Sequence, residues 1–372
     1  MERWGGERAL PSGQMVTQMR RLLPLCLLVS GCAALAQTTP IPVKVVVVTM
    51  FEVGEDTGDA PGELQYWVER DHLDHVFQLA AGYHAVRMND SGELAVLTGQ
   101  GTAHAAATIM ALGLDPRFEL SHAFWIVAGI AGGSPDRVSL GSAAWARWVV
   151  DGDLGYEIDA REMPKDWSTG FMPLRKTKPF EGPAAPLEGQ VFALNGDLAE
   201  WAFKLTREIK LADADRLKEV RREFDGAAAN RAPFVTMGDE VTGSRYWHGK
   251  LEDAWAAEWM RYFSDGKGEF ATTAMEDSGT LQSLRFLANA GRVDWKRILV
   301  LRTVSNYDRQ PRGLSAAQSL ARQRIGSYSA YLPALEAAYQ VGHAVVNELL
   351  DHWAKYGSSD PVRIQPASSN AR

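Results

Sequence analysis

The chain has 372 residues, 46% of them hydrophobic and 23% charged, with 39 Lys and Arg against 46 Asp and Glu. That length supports one large core or two small ones, and the formal net charge of -7 repels phosphate backbones, which argues against nucleic acid as a partner. Both cysteines, Cys26 and Cys32, fall in the first 36 residues, so the remainder of the chain offers no disulfide, zinc-cysteine site or cysteine nucleophile.

Residues 20 to 36 read RRLLPLCLLVSGCAALA, a pair of arginines, an apolar run and then small residues, which is the layout of a secretory signal. The run is shorter than the roughly 20 apolar residues that span a bilayer. Two processing sites compete. Val29-Ser30-Gly31-Cys32 has the form of a bacterial lipobox, with Cys32 as an acylated first residue, and Ala34-Leu35-Ala36 is an ordinary small-x-small cleavage site. The expectation is a signal peptide over 1–36, export to the periplasm or outer membrane, and membrane contact only through a lipid at Cys32. Its removal takes away four basic and two acidic side chains and leaves 35 against 44.

After the linker TTPIP, the β-branched run VKVVVVTMF (43–51) predicts a buried strand. Helical periodicity follows over 62–80, strands over AVRMN and 93–98, a small-residue helix over 102–113, and a buried strand over 123–129. Residues 151–189 are rich in Gly, Pro, Asp and Lys and read as a surface excursion. Helices are expected over 196–222 and 247–263, a strand over 231–239, a strand passing into a helix at Glu276, a last strand over 297–305 and a long helix over 329–356. The tail, 358–372, reads as disordered. This alternation makes 43–357 a single α/β domain with a largely parallel, covered sheet, whose ligands bind at the carboxyl ends of strands.

Four strand ends carry candidate chemistry. Gly99-Gln100-Gly101 precedes the small-residue helix, where the backbone can approach a ligand and the helix N-terminus favours an electron-rich group; a plain tight turn is the alternative. Val127 to Gly133 is a second glycine-rich end. Met275-Glu276 sits where a strand becomes a helix, so the carboxylate either accepts two hydroxyls of a diol or simply complements the helix dipole. Ser305-Asn306-Tyr307-Asp308 closes the last strand and is either a ligand-facing end or an Asn/Asp turn. His72 and His75, in DHLDH, lack further ligands and read as a solvated face, and neither metal nor cofactor is expected. His104 and His248 lie near the inferred site.

The order of these segments, with TMFE, the tryptophan-rich middle and TAMEDSGTL, resembles the nucleoside phosphorylase and nucleosidase superfamily, and within it the purine nucleoside permease family, over roughly 43–355. The resemblance implies an α/β three-layer sandwich around a mixed, barrel-like sheet with a purine nucleoside site at the strand ends. It places Met275 and Glu276 on the ribose, Asn306 opposite N7 of the purine and Gly129 beside the sugar; Gln100 and Gly101, at the first glycine-rich end, are further substrate-binding candidates. Val241, Tyr246 and Trp247 would flank the base. Superfamily phosphorylases carry an arginine and a serine for phosphate where this chain has Val127 and Ile130, so a phosphate dianion lacks its donors. A nucleosidase needs only a carboxylate that orients water, for which Glu52 and Glu55 are the candidates beside Asn306 at the departing base. Two functions follow: an exported purine nucleoside-binding protein serving uptake, or a periplasmic purine nucleoside hydrolase. Oligomeric state is left open, a homo-oligomer included.

Overall fold

The first strand of the central sheet, β1 (Val45–Thr49), is buried at every position. Alternate side chains point to opposite faces of a strand, so Val45 and Val47 pack into one core with Trp67, Trp145 and Trp201, while Val46 and Val48 pack into another with Ile109, Trp125 and Leu281. A strand covered on both faces belongs inside a layered α/β structure. This computed structural model describes residues 39–323 and 330–358; the expected signal segment with Cys32, and the tail from 359 onward, lie outside them.

Among the described residues twelve strands form one mixed sheet. After β1 come β2 (His75–Phe77), β3 (Val86–Met88), β4 (Glu93–Leu97), β5 (Phe124–Gly133), β6 (Ala143–Trp145), β7 (Trp148–Asp151) and β8 (Val191–Ala193). The remaining four are β9 (Val235–Met237), β10 (Asp239–Thr242), β11 (Phe270–Ala274) and β12 (Ile298–Tyr307). The order is β8-β7-β10-β11-β5-β1-β4-β3-β2, with β12 on β5 and β6, and β9 on β6. Pairs β1–β4, β1–β5, β5–β12 and β10–β11 are parallel, whereas β11 runs antiparallel to β5. The α/β class and the mixed sheet expected from the resemblance are therefore what the chain adopts.

The long helix 331–351 packs on β5 and β12. On the other side, helices α2 (Thr102–Leu114) and α6 (Asp277–Asn289) pack against each other. Gly279 permits that approach, because a Cβ there would run into the Thr102 carbonyl. Two expectations are corrected. The helix read over 62–80 stops at Arg70 (α1, Gln65–Arg70), His72 takes a positive φ of 53°, and 75–77 form an edge strand. The continuous helix read over 196–222 is two helices, 196–206 and 215–221.

One irregularity in β5 creates a cavity. β1 pairs with it as far as Val127, and on the same side β11 takes over only at Gly132. Between those points β5 keeps β12 as a neighbour but has none along its other edge. The fork opens at Gly129 to Ala131, at the carboxyl end of β1.

Candidate functional site

A cavity of about 290 Å³ occupies the fork, near the lower end of the roughly 300–1,000 Å³ typical of small-molecule sites. Its floor is Ile130, Ala131 and Gly132 of β5 with Thr273 and Ala274 of β11. Met50 and Phe51, just past β1, close one side.

The fork leaves the Ile130 amide without a strand partner, and the side chain of Glu63 fills that role. Glu63 Oε1 accepts from Ile130 N at 2.7 Å and Oε2 from Met50 N at 2.8 Å. One carboxylate thus ties β5 to the end of β1 while lining the cavity. Burial pushes its pKa up to about 8, against the opposing pull of Arg302 and the two amides. Gly129 is small for the same reason: a Cβ there would meet Met50, Glu63 and Arg302 together.

Glu276, at the N-cap of α6, lines the same end. Its Oε1 accepts from Gly101 N at 3.3 Å, its Oε2 from Met275 N at 3.1 Å, and burial raises its pKa. Below it Arg302, 1% exposed, donates to both oxygens of Asp277 and lies 3.6 Å from Glu276 and 3.8 Å from Glu240. Its Nη1 donates to the Ile130 carbonyl at 3.3 Å, so each of its three nitrogens is engaged within the protein.

At the other end Asn306 is held in one orientation. Its Oδ1 accepts from Ser305 Oγ at 2.9 Å, and its Nδ2 donates to Tyr246 Oη at 3.2 Å. Tyr246 donates in turn to Gln323 Oε1 at 2.6 Å. The second N–H of the amide goes to the Tyr307 carbonyl at 3.3 Å, and Trp247, Arg245 and Asp308 complete the lining.

Of the residues singled out from sequence, Met275, Glu276, Gln100, Tyr246, Trp247 and Asn306 come together at this cavity. Gly129 and Gly101 stand immediately behind it. Three are placed elsewhere. Glu52 turns its carboxylate onto the amides of Gly62, Leu64 and Gln65, capping the start of α1. Glu55 is exposed on the loop between. Val241 is buried in β10, packed with Trp255 and Met260 rather than beside a ligand, because its side chain points to the helix 250–263. His104 is exposed, and His248 is buried against Ser319 with its pKa lowered by burial to about 4; neither lines the cavity. The carboxylate that sequence reasoning missed is Glu63. It lies in the loop just before α1, where nothing in the local pattern sets it apart from Glu52 and Glu55.

Among the described residues no group of His, Cys, Asp and Glu is arranged to hold a metal ion, and no helix is long and apolar enough to cross a membrane.

The sequence profile described as purine nucleoside permease (NUP) matches residues 42–361. A probable purine nucleoside permease of Schizosaccharomyces pombe is 30% identical over 266 residues, covering 69% of this chain and 75% of that one. The purine nucleoside permease of Candida albicans is 29% identical over 264 residues, covering 70% and 64%; the chain thus spans just under two thirds of the Candida protein. Among solved structures, the Helicobacter pylori 5'-methylthioadenosine/S-adenosylhomocysteine nucleosidase has a TM-score of 0.50 at 14% identity, covering 82% of this chain and 99% of that one. Futalosine hydrolase of the same organism gives 0.50 at 13%, covering 82% and 98%. Identities this low speak for the fold alone.

Proposed function

Because the chain belongs to the purine nucleoside permease family, we propose that it binds purine nucleosides in the cavity of the forked sheet and serves their uptake as an exported protein. The observation that carries this reading is the pairing of two groups in one cavity: a buried carboxylate at Glu276, beside Met275, and an amide at Asn306 oriented by Tyr246, with Trp247 in the same lining. A carboxylate that accepts two hydroxyls suits a ribose diol, aromatic rings suit a base, and an amide suits an acceptor nitrogen. Calorimetric titration of the full chain with inosine, guanosine and adenosine tests it; no heat of binding with any of them would remove the reading. Export rests on the segment 20–36. Cell fractionation would find the protein in the periplasm or at the outer membrane, and a Cys32→Ser variant that stays with the membrane fraction would remove the lipid anchor.

A second reading, hydrolysis of the nucleoside, is favoured by Glu63. When ionised, it takes a proton from a water whose oxygen forms a bond to the anomeric carbon. The bond from that carbon to the purine nitrogen breaks, the electron pair leaves with the base, and the base takes a proton from solvent. Asn306 hydrogen-bonds the departing purine without protonating it. With Arg302 committed to carboxylates, water rather than phosphate is the nucleophile in this reading. Chromatography of inosine incubated with and without phosphate separates the cases: free ribose at a phosphate-independent rate supports hydrolysis, ribose 1-phosphate overturns it, and unchanged inosine leaves binding alone.

A further inference from the structure

Three residues stand in one row across the sheet at the floor of the cavity. Gly132 of β5 pairs with Thr273 of β11 on one side and with Asn306 of β12 on the other. Strand alternation sends Thr272 and Thr273 to opposite faces; Thr272 is buried, and Thr273, half-buried, lines the cavity. Gly132 puts no side chain between its neighbours. A Cβ there would lie 3.0 Å from Thr273 Cγ2 and 3.7 Å from Asn306 Nδ2. Thr273 and Asn306 thus flank a bare strip of backbone on which a flat ring can rest.

The polar groups around this strip differ in what they have left to offer. Asn306 gives one N–H to Tyr246 Oη at 3.2 Å and the other to the Tyr307 carbonyl at 3.3 Å, and its Oδ1 accepts from Ser305 Oγ. The carboxylate oxygens of Asp308 are closed off. The Thr273 hydroxyl has no hydrogen-bond partner among the described residues, and unlike that of Thr280 it is not shut in by its surroundings. It can meet a ligand without breaking an existing bond, whereas the Asn306 amide must first release one. We propose that Thr273 is a specificity-determining residue whose hydroxyl bonds the purine base and makes the site accept 6-oxo and 6-amino purines alike, an inference that rests on the nucleoside-binding reading above. A hydroxyl turns its one proton toward an acceptor or presents a lone pair to a donor. It donates to the O6 of a 6-oxopurine and accepts from the NH₂ of a 6-aminopurine. A fixed donor or acceptor in its place would reject one of the two, because an unpaired polar group in a closed site is costly.

The test is equilibrium binding of inosine, adenosine and hypoxanthine to the full chain, for the wild type, Thr273→Val, Thr273→Ala and Thr273→Ser. Valine keeps the shape without the hydroxyl, alanine removes both without crowding Gly132, and serine keeps the hydroxyl. The wild type should bind inosine and adenosine within about threefold of each other, below the worth of one typical hydrogen bond. Thr273→Val and Thr273→Ala should each weaken all three ligands by about 5- to 10-fold, the worth of one neutral hydrogen bond, and Thr273→Ser should stay near the wild type. A wild-type preference of more than about tenfold for either nucleoside, the worth of a full hydrogen bond, overturns the inference while the nucleoside-binding reading stands. So do unchanged affinities in Thr273→Val and Thr273→Ala, or a loss confined to the nucleosides, which would put the hydroxyl on the sugar. If the wild type binds no nucleoside, both readings fail. The alanine variant and the wild-type comparison keep the inference exposed even if Thr273→Val does not fold.

Discussion

Arg302 donates to Asp277 through two nitrogens, Nε to Oδ2 at 3.0 Å and Nη2 to Oδ1, with both side chains out of solvent. Around this pair stand Glu240 and Glu276, so a single guanidinium offsets several carboxylates. Removing one partner of a buried pair leaves an uncompensated charge, which costs about 3–5 kcal/mol. Arg302→Leu should lower the unfolding free energy by that order. The double variant Arg302→Leu/Asp277→Leu should lose less than the two single losses combined. Denaturant titration of the four proteins checks this; strict additivity would mean that the pair does not couple.

Glu63 should write its own signature into stability against pH. Unfolded, its carboxyl titrates near 4.5; folded, burial raises it to about 8. Below 4.5 both states hold the proton, and between 4.5 and 8 only the folded state does. Stability therefore falls as pH rises through this window, by at most roughly 1.36 kcal/mol per unit from this one group. Above 8 the loss is complete. Glu63→Gln cannot ionise, so the difference in unfolding free energy between pH 5 and pH 8 should shrink by a few kcal/mol in the variant. An unchanged difference would place the titration elsewhere.

Glu276→Gln should separate sugar from base. If its carboxylate accepts ribose hydroxyls, the variant weakens nucleoside binding by about 1.5–3 kcal/mol and leaves free purine nearly unaffected. Titration with inosine and hypoxanthine side by side decides it, and equal losses would show that Glu276 does not face the sugar.

Gly279 allows α2 and α6 to touch along their backbones. Gly279→Ala should destabilise the protein by about 1–3 kcal/mol through overpacking, although alanine is the better helix former. A thermal melt at or above that of the wild type would show that the helices part without penalty.

Much of this was legible in the sequence because the signals were local. Val45–Thr49 and Ile298–Tyr307 read as buried strands from their apolar runs, and Met275-Glu276 and Asn306 stood at strand ends where a parallel sheet collects ligands. What escaped was set by the third dimension. Glu52 and Glu63 are both acids near the end of β1, and their exchange of roles follows from the fork in β5. The fork leaves Ile130 N for Glu63, while Glu52 is drawn to the free amides at the start of α1. Arg302 sits in a strand that is buried at every position, and only the approach of α6 brings Asp277 to it. Val241 fell in a segment whose neighbours do reach the cavity, and strand alternation turned it away.

The clasp that Glu52 forms with Gly62, Leu64 and Gln65 has an evolutionary consequence. Residues 53–61 are mostly exposed and leave and return at this one carboxylate. The position of Glu63 is thereby insulated from the loop that precedes it. Doubling the length of such a loop costs only about 0.6 kcal/mol in closure entropy, so it is the place beside the cavity where new sequence, and with it a new contact for whatever approaches the mouth, can be acquired without disturbing the fork.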